Sequence, residues 1–356
     1  MNAKCATVTD KDTGKVLGKM FKSPGYNYVF DFETGTFLRW GKTKQDDPEW
    51  APYGPEILDI EISTICHKGC SHCYKSNTGH GKNMTLERYK QLFSKFPKSV
   101  TQIAFGIGDI DSNPDLWDIM GYTRNNNVVP NITVNGHRVY SGDMDKLAAV
   151  CGAVAVSHYD DNECFNTVQG LTSRVGNGGP LRQVNIHKLL SHETWQSCMN
   201  LMIASQSDPR LEKLNAIVFL WLKPKGERND YHQVTLEQYK ELVNYALANN
   251  IRIGFDSCSA PMFMKAAKDH PEADKMFEMV DACESTLFSY YINVDGIGYP
   301  CSFSEGLPQF KGMDVLNCND FQIDIWCNNE THDFRWKCAN SKDENSCRRC
   351  TIYELG

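Results

Sequence analysis

From Ile57 onward, the apolar positions of the chain switch repeatedly between two periods. ILDIEIST (57–64) alternates apolar with acidic residues, the mark of a strand with two unlike faces. Leu86–Phe96 follows a helical period, with Thr85 as its N-cap. VTQIAFGIG (100–108) reads as a strand running into a glycine turn, and a helix begins over Pro114–Tyr122. NITV (131–134) is a strand, Met144–Val150 a short helix and AVAVS (153–157) a strand. QVNIHKL (183–189) and NAIVFLWL (215–222) are strand-like. The helix His192–Ser205 lies between them, and the amphipathic Thr235–Ala248 follows. IRIGF (251–255) closes the series. Six or so strand–helix units at this spacing predict an α/β chain whose parallel sheet curls into a full or partial barrel. Ligands of such folds sit at the carboxyl ends of the strands.

The flanks break this rhythm. Tyr28–Trp40 sets aromatic against polar residues around Glu33-Thr34-Gly35, a β-hairpin pattern, and Pro48, Pro52 and Pro55 separate it from the first strand of the series. This hairpin could cap the barrel, present a peptide by strand addition or simply cover a sheet edge. Beyond about residue 257 long apolar runs disappear, yet eight of the fifteen cysteines lie there. A region poor in core and rich in thiols is one that metal would hold, because metal binding then contributes folding free energy. Three segments are expected: an extension over 1–56, a barrel over 57–256 and a cysteine-rich region over 257–356.

Composition narrows the function. The chain has 356 residues, 41% of them hydrophobic and 23% charged, ordinary globular values that argue against extended disorder. Lys and Arg number 37 against 44 acids, so the net charge of −7 argues against a protein that grips phosphate backbones. The polar start MNAKCATVTDKDTGK lacks the apolar stretch of an export signal. No apolar run approaches the roughly 20 residues that cross a bilayer. The expectation is a soluble, cytoplasmic protein with no membrane partner. An odd number of cysteines in a long chain without an export signal is a poor disulfide framework, which leaves metal, catalysis or packing.

Spacing separates these uses. Cys66-His-Lys-Gly-Cys70-Ser-His-Cys73 follows the first strand of the series, so three thiols can converge at a strand's carboxyl end. Cysteine thiolates normally hold iron–sulfur clusters in fours, and three would leave one iron open. Zinc bound by the three cysteines with His67, His72 or His80 is the alternative. The C-x3-C-x2-C spacing, with a ring before its last cysteine, resembles the radical S-adenosylmethionine superfamily. That resemblance implies a [4Fe-4S] cluster whose open iron chelates the amino and carboxylate groups of S-adenosylmethionine. Cleavage of the sulfonium then gives an adenosyl radical that abstracts hydrogen from substrate. It also implies a partial (β/α)6 TIM-like barrel.

Further cofactor contacts carry over by position. Gly106-Ile107-Gly108-Asp109, after the second strand, resembles the family's glycine-rich GGE motif, with aspartate in place of glutamate. Glycines there let backbone approach a ligand closely, although a simple tight turn would use them as well. Asn135 and Ser157 end the third and fourth strands where the family places polar contacts, and both residue types also form turns. Arg174 is a further candidate for the carboxylate, the alternative being a solvated loop arginine. His158, Tyr159 and Asp160 follow the fourth strand and could face the same site.

Cys283, Gly296 and Cys301, followed distantly by Cys347-Arg-Arg-Cys350, resemble the SPASM domain or its shortened twitch form. The implied group is one auxiliary [4Fe-4S] cluster on Cys283, Cys301, Cys347 and Cys350. The alternative is a zinc ribbon. YINVDGIGYPCS (291–302) reads as a hairpin that delivers Cys301. Cys258, Cys318, Cys327 and Cys338 are enough thiols for another cluster, but their irregular spacing favours buried or loop cysteines, and Cys5, Cys151, Cys164 and Cys198 are read as packing. The resemblance implies a peptide or protein side chain as substrate, or a small alcohol of the aminocyclitol kind, and a reductant such as flavodoxin or ferredoxin. A non-catalytic zinc or iron–sulfur module is the reading from a different class. No residue of the sequence names a catalytic acid or base.

Overall fold

In the computed structural model, which describes residues 3–176, 179–181, 183–342 and 347–353, the aromatic segment near the start belongs to a four-stranded antiparallel meander. Its strands are β1 (Lys4–Thr9), β2 (Val16–Lys22), β3 (Asn27–Asp31) and β4 (Phe37–Trp40). The expected hairpin is its second half. Asp31 closes that turn by accepting the amides of Glu33 and Thr34 at 2.9 and 2.7 Å, and Gly35 supplies the left-handed residue at φ +73°. The first two strands give no comparable signal, since Lys4–Thr9 is exposed along almost its whole length.

The strand–helix series follows. It comprises β5 (Ile57–Glu61), α1 (Leu86–Phe93), β6 (Gln102–Gly106), α2 (Leu116–Asn125), β7 (Val129–Val134), α3 (Ser141–Val150), β8 (Ala153–Ser157) and α4 (Asp161–Thr172). A small hairpin of β9 (Val175–Gly176) and β10 (Gly179–Pro180) precedes β11 (Gln183–Leu190), α5 (Trp195–Ser207), β12 (Ala216–Trp221), α6 (Leu236–Ala248) and β13 (Ile253–Phe255). The caps explain several boundaries. Thr85 accepts the Arg88 amide at the start of α1, and Thr235 forms a capping box with Gln238 at the start of α6. Helix α4 carries no clear helical period in the sequence. Asn162, Asn166 and Gly170 lower its helix propensity, but Asp160 caps it and Cys164, Phe165, Val168 and Leu171 form one buried stripe.

After β13 come α7 (Ala260–Ala267), α8 (Ala273–Phe277), β14 (Ser289–Ile292), β15 (Ile297–Tyr299), β16 (Met313–Asp314), a π-helical turn over Phe321–Trp326 and α9 (Asn329–Asn340). The expected glycine hairpin is β14–β15, with Gly296 at φ +74°. One ten-stranded sheet runs β13-β12-β11-β8-β7-β6-β5-β14-β15-β16. Every pairing from β13 to β14 is parallel, and β15 and β16 add antiparallel. The sheet thus continues past residue 257, and its ends at β13 and β16 do not pair, so the barrel is partial.

Strand parity defines the two faces. Phe105 meets Tyr89 of α1 at a ring separation of 5.8 Å, and Trp221 meets Tyr239 of α6 at 6.4 Å, so this parity faces the helices. Each such side chain withdrawn from water contributes about 1.5–3 kcal/mol. The opposite, concave face is polar: Asp59, Glu61, Gln102, Asn185 and His187 project there, and Ser157 lies in register beside His187. The meander covers the amino ends of the strands. Tyr28 donates to the Ser99 carbonyl at 2.8 Å, Gln183 reaches the Thr34 carbonyl at 3.2 Å, and Lys19 binds the Val100 carbonyl. That leaves the carboxyl ends for chemistry.

Candidate functional site

The loop carrying Cys66, Cys70 and Cys73 leaves the sheet just after β5 and returns to it at once. Thr64 donates to the Lys82 carbonyl at 3.0 Å and Cys66 to the Thr78 carbonyl at 2.7 Å, so the two ends of the excursion are zipped together. Within it, Gly69 sits at φ +64°, a turn between Cys66 and Cys70 that glycine makes without strain. Ser76 closes onto the Cys73 carbonyl at 2.9 Å.

The turn after β6 holds this loop from the side. Asp109 is fully buried, and one of its oxygens accepts the His67 amide at 2.8 Å and faces His67 Nδ1 at 2.7 Å. Its other oxygen accepts Asn135 Nδ2 at 2.8 Å and lies 3.8 Å from the Cys66 sulfur. Burial pushes the Asp109 carboxyl up, but the hydrogen bonds from His67 and Asn135 outweigh it and hold the group below its ordinary value. Gly108 is required by space: a Cβ there would stand 2.1 Å from the Ile65 carbonyl oxygen and 2.5 Å from Cys66 Cβ. Gly106 meets nothing closer than 3.5 Å, so the two glycines are not equivalent.

The rings around the loop form a second wall. His72 lies between Tyr159 and Tyr231, at centroid separations of 6.0 and 5.3 Å, and its buried Nδ1 has no partner. Burial and the nearby Lys188 charge lower the His72 pKa. The Tyr159 hydroxyl bonds the Cys70 thiol. Lys68 pairs with Glu163 at 2.7 Å, and Glu163 with His137 at 3.0 Å. Burial also pushes the Cys66 and Cys70 thiols up, so the thiolates that metal binding requires need a positive partner. Among the described residues, no three His, Cys, Asp or Glu side chains stand where they could hold a single metal ion. Thiolates of an iron–sulfur cube bind separate irons and stand further apart than ligands of one ion.

The remaining expected residues divide. Asn135 is brought in, with its Oδ1 accepting the His137 amide at 2.9 Å and its Nδ2 on Asp109. Ser157 ends β8 in register beside His187. Arg174 is not brought to the loop: its guanidinium is spent on Asp145, the Gly170 carbonyl and Ser141. The Asp109–His67 brace was not foreseen. Its signal was the acid closing GIGD, which reads equally well as a ligand contact.

The second thiol group lies where the barrel fails to close. Cys301 follows β15 on one side of the gap, and Cys258 follows β13 on the other. Cys283, Cys301 and Cys350 are within electrostatic reach of one another, and Cys258, which the sequence leaves as a buried or loop cysteine, is within reach of all three. Cys338 joins them through a hydrogen bond with Cys283. Arg348 donates to the Cys283 carbonyl at 3.0 Å, which ties the terminal C-x2-C segment to the rest. Burial pushes Cys301 and Cys258 up to about 12, and the neighbouring Cys283 and Cys350 raise both further. The two groups also approach each other: the Tyr74 ring, next to Cys73, packs on Phe303 at 4.5 Å.

No protein-family model and no curated protein matches the sequence. Solved structures do match. Streptococcus suis SuiB bound to its precursor peptide SuiA superposes with a TM-score of 0.60 at 12% identity, over 83% of this chain and 70% of that one. SuiB bound to S-adenosylmethionine gives 0.60 at 12% identity, covering 85% and 72%. The enzyme anSMEcpe with bound S-adenosylmethionine gives 0.56 at 12% identity, covering 84% and 87%. The chain has the fold of the radical S-adenosylmethionine enzymes. In this fold the three-thiol loop stands at the carboxyl end of the first barrel strand, and the turns after the next three strands bring Asp109, Asn135 and Ser157 to the same end. No helix among the described residues is long and apolar enough to cross a membrane.

Proposed function

We propose that the chain is a radical S-adenosylmethionine enzyme that abstracts hydrogen from a peptide or protein side chain. One observation carries this reading: three thiols share a loop that Asp109 and Gly108 hold at the mouth of the barrel, and neither His67 nor His72 is turned to complete a fourth ligand. His67 is turned onto Asp109, and His72 is packed between two tyrosines. Cys66, Cys70 and Cys73 fit a [4Fe-4S] cluster with one open iron, since three ligands leave one corner of the cube free. When bound, that cluster and S-adenosylmethionine supply a carbon-centred radical.

The protein's own residues position and exclude. Asp109 fixes the cysteine loop through His67. The partnerless His72 nitrogen and the Tyr159 ring line the side on which a nucleoside would lie. Ser157 offers a hydroxyl there, and Gly106 leaves its strand end open. The polar concave face of the sheet, with Asp59 and His187, receives the substrate. Cys283, Cys301 and Cys350 lie within electrostatic reach of one another, and with Cys347 of the same C-x2-C segment they would hold one auxiliary [4Fe-4S] cluster that passes electrons. Support for a peptide substrate comes from SuiB, whose structure contains a precursor peptide. A flavodoxin or ferredoxin is the proposed reductant, in a cytoplasmic setting.

Anaerobic reconstitution with iron and sulfide tests the reading. Two cubes correspond to about eight irons per chain, and a reductant should then release deoxyadenosine from S-adenosylmethionine. A colourless zinc protein that releases none would overturn the proposal in favour of a binding module.

A further inference from the structure

Strand β12 lies in an unbroken apolar run that ends at Leu222, and the next residue is a lysine. Lys223 does not reach for solvent: its side chain is only 3% exposed. The ammonium pairs with Asp256, whose carboxylate is fixed from behind by the Ser259 hydroxyl and by the Trp221 amide at 3.3 Å. The Phe303 ring lies 5.3 Å from the nitrogen. Around the same nitrogen, Cys258, Cys350, Cys301 and Cys283 all lie within electrostatic reach. Burial pushes the amine towards its neutral form, and negative charge on those four sulfurs pulls it back.

The lysine is held in place by its own segment. Asn229 donates to the Lys223 carbonyl at 3.1 Å. Lys225 crosses to the carbonyls of Ser302, Phe303 and Glu305 at 3.0, 3.2 and 2.7 Å, capping the turn after Cys301. Gly226, at φ +111°, lies against the Cys73 carbonyl, where a Cβ would stand 2.4 Å away. Residues 223–229 therefore form a strap that touches both thiol groups, with Lys223 at its auxiliary end.

A buried ammonium is costly, and a single carboxylate would suffice to neutralise it. A positive charge facing several thiols becomes favourable once those thiols are thiolates on a cluster. Such a cluster is anionic, and each added electron makes it more so. A nearby cation therefore stabilises the reduced form more than the oxidised one.

We propose that Lys223 is the resident cation of the auxiliary centre, standing beside the group of Cys283, Cys301 and Cys350 and raising that centre's reduction potential. This rests on the reading that those thiols hold an iron–sulfur cluster. The role is one of positioning charge, not of touching substrate.

The test compares the reconstituted wild type with the double variant Lys223→Met/Asp256→Asn, which removes both charges without stranding a buried carboxylate. Lys223→Gln, which keeps a hydrogen-bond donor, is measured in parallel in case the double variant does not fold. Each protein is reduced stepwise and followed by electron paramagnetic resonance. The expected result is unchanged iron content, an auxiliary midpoint shifted to more negative potential in both variants, and an unmoved midpoint for the Cys66–Cys73 cluster. Lys223→Arg should restore the wild-type value. Unchanged auxiliary midpoints, or equal shifts of both clusters, would overturn the assignment. A wild type holding iron only at the first loop would remove the auxiliary centre itself, an outcome recognised from the iron count before any variant is made.

Discussion

The two thiol groups are assembled in opposite ways. The first takes all its sulfurs from eight consecutive residues, and local backbone bonds, the Gly69 turn and the Asp109 brace shape them before any metal arrives. The second gathers Cys258, Cys283, Cys301, Cys338 and Cys350 from segments far apart in the chain, into the gap between two sheet edges. A preshaped loop suits a centre that must leave one corner free and hold a cofactor in register. A dispersed group suits a centre whose ligation also fastens one part of the molecule to another, because binding energy there becomes folding energy.

The largest expected effect breaks the first group. Cys66→Ala, Cys70→Ala or Cys73→Ala should bring deoxyadenosine release down to background and halve the iron content, while melting changes little. Breaking the second group should do the reverse. Cys301→Ala or Cys350→Ala should also halve the iron, leave substrate-free cleavage of S-adenosylmethionine measurable and lower the melting temperature. A Cys347 or Cys350 replacement that left a stable, fully active enzyme would contradict the auxiliary role.

Smaller changes sharpen the contrast. Gly108→Ala forces a methyl group into the Ile65 carbonyl and should cost about 1–3 kcal/mol, as overpacking does. Denaturant titration of the apo-protein would measure it, and iron binding at the first site should weaken in step. Asp109→Asn keeps the shape but loses the charge facing His67, and should cost about 1.5–3 kcal/mol, in the range of one charged hydrogen bond. Its effect carries a pH signature. Because the folded Asp109 carboxyl is held below its ordinary value, its stabilisation is present above the unfolded value of about 3.9 and is lost as pH falls through the depressed one. Wild type and Asp109→Asn should therefore converge in stability only in acid, well below neutral pH.

What the sequence disclosed follows the same division. Strands such as Ala153–Ser157 and helices such as α6 could be read because each carries its own period and cap. The C-x3-C-x2-C loop could be read because its chemistry is local. Helix α4 escaped because weak helix formers diluted a stripe that tertiary packing nonetheless buries. Arg174 was expected at the cofactor, but the nearby Asp145 and Ser141 claim it. Lys223 and Cys258 carry no local signal. Only the folded sheet, by bringing the ends of β12 and β13 to the barrel gap, shows what surrounds them.

The most direct measurement adds S-adenosylmethionine to the reduced, reconstituted protein and records the electron paramagnetic resonance of its clusters. One signal should change on binding, that change should vanish in Cys70→Ala, and the signal of the other cluster should stay as it was. Spectra that ignore S-adenosylmethionine, in a protein whose first loop is fully loaded with iron, would contradict an open corner at Cys66, Cys70 and Cys73.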